Sequence, residues 1–481
     1  MNAKINNFSE IAKALSVKSK LNSDLLTLFS RFGLGRIISK LSMEKADGVS
    51  AVQLILSLCL FRINGESIHS IYKKNFYNLL STGKNCYYRM MSRPSMDWRR
   101  LINQFALRFQ AILKKEGADM ASGYKCLIFD DTTAKKSGLA MEAVSRVFDH
   151  VAGRCILGFK ILICAYFDGK STIPLDFSIH SEKGRDGSYG LTSKQKESRF
   201  TKRRDKSMPN CIRRAECDRS KIDVAIEMTK RAWKMGLRIQ YVLCDSWFTC
   251  EEFISSVRGI GNGILHFVGL AKMGNTKYSV NGKKHAAADL IALYERERLH
   301  TCRKYKCQYI RLKGKLGDQQ VGIFLIRYGR NSRWNVMLTS DINMPFVKAF
   351  EIYQIRWNIE VLVKECKGYL GLGNCQARDF DEQIADTTLC FITYTVMALE
   401  KRFGEYETMG EVFACLKEEV MAATLWKRIL ACLERLLNVL AERLGISAGE
   451  LIQSVICDEG AAEDYEIMAR ALEDSRRKTE E

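Results

Sequence analysis

Residues 126–132 read Cys-Leu-Ile-Phe-Asp-Asp-Thr, four apolar side chains that run into two carboxylates. So short and unbroken an apolar run predicts a strand covered on both faces, because a strand with one wet face would alternate. The arrangement returns at residues 241–245, Tyr-Val-Leu-Cys-Asp, and residues 161–167 form another continuous apolar run. Residues 173–179 alternate, as a half-buried strand does. Predicted helices at 221–235 and 251–258 and a strand at 265–271 complete an α/β core. An aspartate at the carboxyl end of a strand in an open α/β sheet sits where ligands bind; it is also an ordinary turn or helix cap.

Outward from this core the pattern changes. Residues 1–120 read as helical, with apolar side chains at helical spacing (Leu25, Leu28, Phe29; Leu101, Ile102, Phe105, Phe109) and interleaved cations, Arg99 and Arg100 among them. The charged run 194–221 reads as a solvated loop, with DNA contact as the alternative. Residues 272–335 read as β-rich, with strands at 309–312 and 321–328, and helices resume from 345. The expected division is a basic helical DNA-binding domain (1–120), a core in two parts (121–271 and 336–400) around a β-rich insertion (272–335), and a helical C-terminal region (401–481).

Bulk properties narrow the class. The chain of 481 residues carries 75 Lys and Arg against 55 Asp and Glu, a net charge of +20, which favours a polyanionic partner. Seventeen cysteines include no Cys-x-x-Cys pair, so structural zinc is not expected and most should be buried thiols in a reducing compartment. No signal peptide is evident, and the most apolar stretch, 51–61, is too short to span a bilayer. These features predict a cytoplasmic, nucleoid-associated protein with no membrane partner.

A third carboxylate comes from a helix predicted to hold Tyr353, Arg356, Glu360 and Lys367 together. At about 100° per residue they project to roughly 0°, 300°, 340° and 320°, a stripe about 60° wide. Apolar Ile352, Ile355, Ile359, Leu362 and Val363 fill the adjoining sector. An i,i+4 ion pair between Arg356 and Glu360 explains the stripe as well as a ligand does.

Tyr353-x2-Arg356-x3-Glu360-x6-Lys367 resembles, without a gap, the Y-(2)-R-(3)-E-(6)-K signature of bacterial insertion-sequence DDE transposases of the insertion-sequence-four, cut-and-paste type. Phe129-Asp130-Asp131-Thr132 looks like that family's first-aspartate motif, and Cys244-Asp245-Ser246-Trp247-Phe248 like its second. Both intervals, 130 to 245 and 245 to 360, are 115 residues, and the likeness spans roughly residues 120–400. The first carboxylate stays ambiguous, since Asp130 and Asp131 both fit; Asp130 is favoured because it follows the strand directly.

The resemblance implies a ribonuclease-H-like catalytic core with a β-rich insertion, flanked by helical N- and C-terminal regions. It implies Asp130, Asp245 and Glu360 as ligands of two Mg2+ ions, with Mn2+ an acceptable substitute. Tyr353, Arg356 and Lys367, and Arg99 and Arg100 in the N-terminal region, would contact double-stranded DNA, both terminal inverted repeats and target. A homodimer would form on the DNA, and the reaction would be metal-dependent cleavage and strand transfer. The chemistry agrees: two divalent ions about 3.5–4 Å apart neutralise the attacking and leaving oxygens of a phosphodiester, and hard ions take carboxylate oxygens. A nuclease that never joins strands has the same carboxylates, and an inactive DNA-binding protein would explain the charge alone. Gly259-x-Gly261-x-Gly263 lacks full phosphate-loop spacing, and the six histidines include no His-Glu-x-x-His.

Overall fold

Four apolar residues at 126–129 begin a strand that continues through the two aspartates: β1 is Cys126–Lys135. Asp130 is thus mid-strand, a correction to the expectation that it follows the strand's end. The computed structural model describes residues 24–446 apart from 46, 74–82, 120–122, 185 and 330–331; the helical readings of 1–23 and 447–481 lie outside the described residues. The chain falls into two compact units, residues 28–68 with 83–413 and residues 1–27, 69–82 and 414–481. The sheet and the candidate site residues lie in the first.

Before β1 the described residues are helical: α1 (Asp24–Phe32), α2 (Leu34–Lys40), α3 (Ala51–Ile63), α4 (Ile68–Lys73), α5 (Asn85–Met91) and α6 (Trp98–Lys115). Among the described residues no helix is long and apolar enough to cross a membrane. After β1 come β2 (Ser145–Asp149), β3 (Arg154–Phe167), β4 (Thr172–His180), α7 (Ser193–Glu197), α8 (Pro209–Glu216), α9 (Lys221–Lys234), β5 (Tyr241–Cys244), α10 (Glu251–Ile260) and β6 (His266–Ala271). The insertion adds β7 (Lys277–Val280), β8 (Lys283–Ala286), α11 (Ala287–Arg298), β9 (His300–Cys302), β10 (Cys307–Leu316) and β11 (Gln319–Arg327); α11 was not predicted. The β7–β8 hairpin turns through Asn281 and Gly282, whose φ of 51° and 79° suit a two-residue turn that only such residues adopt cheaply. Then follow β12 (Asn335–Thr339), α12 (Phe346–Gln354), α13 (Trp357–Leu370), α14 (Phe380–Phe403) and α15 (Met409–Leu444).

The strands form one mixed sheet in the order β2-β3-β1-β5-β6-β12-β11-β10-β7-β8, with β4 on β3 and β9 on β10. β1 is antiparallel to β3, whereas β5 runs parallel to β1 and β6 parallel to β5. The sheet is covered on both sides: Phe129 meets Phe253 of α10 at 5.6 Å between ring centres, and Phe177 meets Phe391 of α14 at 5.5 Å.

Two predictions fail for one reason. β4 is buried along nearly its whole length rather than alternating, and residues 194–221 are a solvated loop only in part, since Asn210, Arg213 and Glu216 of a helix within it are buried. In both, polar side chains enter the interior as hydrogen-bonded ion pairs. Asp176 of β4 accepts from Arg99 Nε of α6 at 3.0 Å and Arg231 Nη2 of α9 at 2.7 Å. Arg213 of α8 lies over the Phe177 ring at 4.2 Å. Farther along, Arg204 donates to both oxygens of Glu142 at 2.7 and 2.6 Å and to Asp381 at 2.8 Å, while Lys202 reaches Asp379 and Asp381.

Burial opposes ionisation of Asp176, but Arg99, Arg231 and Arg213 outweigh it and hold the carboxyl at about 2. A carboxylate so depressed contributes its full stabilisation above the ordinary value near pH 4, and that contribution is lost as pH falls toward 2. Asp176→Asn leaves buried guanidiniums uncompensated and should destabilise the fold by about 3–5 kcal/mol at neutral pH. Urea denaturation at pH 7 and between pH 4 and 2 checks this: the variant should start lower and lose less over the acid range.

Candidate active site

Strand register brings the first two carboxylates together. β1 and β5 pair in parallel with Phe129 opposite Cys244, so Asp130 and Asp245 each follow a paired residue at the same level. Adjacent strands lie about 4.8 Å apart, which leaves little room between the two side chains. Cys126–Phe129 and Val242–Cys244 are fully buried, which anchors this end of the ladder. Asp130 Oδ1 accepts the Asp131 N–H at 2.8 Å, and Asp245 Oδ1 accepts the Trp247 N–H at 2.9 Å, closing a turn over Ser246. Burial and, next, the Asp245 charge push the Asp130 carboxyl up to about 7, against the Asp131 N–H and Arg356.

Successive side chains on a strand point to opposite faces, so Asp130 and Asp131 part company. Asp131 meets the Lys221 ammonium of α9, with Lys160 Nζ of β3 at 3.6 Å. Lys221 is the first residue of α9, where the helix dipole disfavours a cation. Its ammonium is compensated by Asp131 and by the Trp247 ring, 4.1 Å from the ring centre. Sequence reasoning missed both Lys160 and Lys221. No local signal marks a partner 90 residues away.

Asp130 instead faces the region that carries the third carboxylate. The predicted single helix is two: α12 ends at Gln354 and α13 starts at Trp357. At the junction, Ile355 and Arg356 donate to carbonyls three residues back, Ile352 and Tyr353, so the turn tightens without leaving helical dihedrals. Arg356 therefore stands in the turn between the two helices, and the stripe expected on one continuous helix is split. Its guanidinium ion-pairs with Glu360 and lies 3.6 Å from Asp130, linking the two carboxylates. Its Nε is buried without a hydrogen-bond partner among the described residues. Tyr353 packs under it, ring centre at 5.7 Å, and burial pushes the phenol up to about 12.

Lys367, two turns beyond Glu360, donates to the Thr133 carbonyl of β1 at 3.1 Å, and burial lowers its amine. Gly371 then closes α13 in the left-handed region, φ 65°, where a side chain would be strained. Arg99 and Arg100 are apart from this group. Arg99 is turned inward, its guanidinium used by Asp176 and bidentately by Glu216. Arg100 is 58% exposed, at 4.0 Å from Asp97.

Among the described residues no three His, Cys, Asp or Glu side chains stand ready to hold a metal ion. The three expected carboxylates are neighbours, but Glu360 is drawn to Arg356. The donor set still fits hard divalent cations: it is all carboxylate oxygen, and Asp130 and Asp245 repel each other in a way that a dication would relieve.

Two family models match the chain. Residues 74–266 match a DDE superfamily endonuclease, and residues 205–396 match a transposase DDE domain. Asp130 falls in the first match, Glu360 in the second and Asp245 in both. No curated protein matches the chain significantly. The two matches indicate a protein of the DDE superfamily of transposases and endonucleases.

Proposed function

We propose that the chain is a cut-and-paste transposase of the insertion-sequence-four type, which binds the terminal inverted repeats of its element and catalyses DNA cleavage and strand transfer. The observation that carries this is the side-by-side placement of Asp130 and Asp245, with Glu360 joined to Asp130 through one arginine. In this reading the core is ribonuclease-H-like, supported by the antiparallel group β4-β3-β1 continued by parallel β5 and β6. Asp130, rather than Asp131, is the first catalytic carboxylate, because Asp131 is committed to Lys221 and Lys160. Work on paired ends calls for a homodimer, in the cytoplasm and on the nucleoid.

Asp130, Asp245 and Glu360 would hold two Mg2+ ions, with Mn2+ as a substitute. The ions supply charge neutralisation at the attacking and leaving oxygens. The protein's own part is positioning. Arg356 releases Glu360 when a DNA phosphate takes its guanidinium, which can grip phosphate in two-pronged fashion. Lys367 holds the backbone beside β1, and Tyr353 fixes the Arg356 plane from below. Arg99 is left out of this set, because its charge is spent inside the fold. Arg100 remains a candidate phosphate contact on the exposed side of α6.

Four substitutions and one product analysis test the reading. Glu360→Gln should abolish Mg2+-dependent cleavage of end-bearing DNA and leave binding largely intact, whereas unchanged cleavage would refute it. Asp130→Asn should also be inactive. Asp131→Asn should retain activity with lower thermal stability, and the reverse pattern would move the role to Asp131. Arg356→Ala frees Glu360, so Mn2+ titration of the DNA-free chain, followed by electron paramagnetic resonance, should show tighter binding than wild type. Joined products in the strand-transfer assay separate a transposase from a nuclease that only cuts.

A further inference from the structure

Beside the acid group is a separate cavity of about 160 Å³, between the turn that follows Asp245 and the start of the insertion. Its walls include Ser246, Trp247, Lys272, Thr276 and Tyr278. That volume far exceeds the roughly 10–15 Å³ that admits one water. Tyr278 is fully buried, and its hydroxyl has no hydrogen-bond partner among the described residues. A buried donor left unmade costs about 1–3 kcal/mol, so its retention points to a partner that arrives from outside. Half-buried Ser246 and exposed Thr276 and Lys272 make no side-chain hydrogen bond or ion pair among the described residues. The walls offer hydroxyls, one ammonium and no carboxylate. Such a set suits an oxyanion and does not suit a metal or an apolar ligand. The wider surroundings agree: residues 272–335 hold fifteen Lys and Arg against four Asp and Glu, more than half of the chain's net +20.

We infer that this cavity binds a backbone phosphodiester of the DNA strand that runs past Asp245, held by Lys272 and the Tyr278 hydroxyl. Neither Arg356 nor Lys367 lines the cavity, so the site is separate from theirs. Trp247, 41% exposed and steadied by Lys221, forms the cavity's rim next to Asp245. The phosphate would therefore fix where the strand lies relative to the second aspartate. This inference rests on the DNA-processing reading above.

The test uses the full chain and a duplex bearing the terminal repeats that flank its gene, with binding followed across a salt titration. Lys272→Ala should lower the log–log salt slope by roughly 0.9, one phosphate contact. Tyr278→Phe removes only the hydroxyl; it should weaken binding about three- to ten-fold with the melting temperature unchanged or raised. If both variants bind as wild type does, the subsite is wrong while the DNA-processing reading stands. If the wild-type chain binds no DNA, that reading itself fails. A scan of single methylphosphonate linkages identifies the occupant: at one linkage the neutral backbone and Tyr278→Phe should not weaken binding further in combination. Fully additive losses at every linkage would overturn the phosphodiester assignment.

Discussion

Two half-buried carboxylates side by side are unfavourable, and the parallel register of β1 on β5 forces them into that position. The pairing of Phe129 with Cys244 sets Asp130 against Asp245, and a slip of one residue would turn the whole set to the other face. Such a slip would break specific packing on both faces, Phe129 against Phe253 for one, because Cys126 to Phe129 are all fully buried. The repulsion is answered by one cation, Arg356, which also holds Glu360. A guanidinium thus occupies the electrostatic centre of the group, and the third carboxylate is kept close without joining the pair.

The same logic separates the two adjacent aspartates. Asp130 lacks a full countercharge and its carboxyl is pushed up by burial and by Asp245. Asp131, one residue on, lies between two lysines on the opposite face. A neutralised carboxylate is a structural tie, whereas an under-compensated one attracts cations. The buried networks around Asp176 and Asp381 belong to the first kind. They join α6, α8 and α9 to β4, and residues 202–204 to Glu142 and the start of α14, so the scaffold is held by charges as well as by apolar packing.

Much of this was legible in the sequence, because β1, β5 and β6 carry their burial in unbroken apolar runs. Asp130 and Asp245 stood out where those runs meet a carboxylate, and Glu360 through the spacing of Tyr353, Arg356, Glu360 and Lys367 that resembles the family signature. What could not be read were contacts set by tertiary packing. Alternation at 173–179 suggested a wet face, yet Asp176 and His180 are buried among partners far away in sequence. The cations of 194–221 looked solvated, and the carboxylates that bury Arg204 come from Glu142, Asp379 and Asp381. Arg99 looked like a surface cation because half its partners lie more than a hundred residues on. The helical stripe was right in composition but wrong in continuity, since no proline or glycine marks the turn at Ile355 and Arg356. α11 was hidden within a segment whose strands dominated its pattern.

The central claim is that Asp130, Asp245 and Glu360 become one metal site when DNA draws Arg356 away. It is tested most directly by replacing the metal with Fe2+ and mapping local oxidative cleavage of the polypeptide by mass spectrometry, with and without end-bearing DNA. The account predicts cuts near residues 130 and 245 in the free chain, joined by a cut near residue 360 when DNA is bound. Cuts clustered elsewhere, or a DNA complex in which residue 360 is never reached, would contradict it.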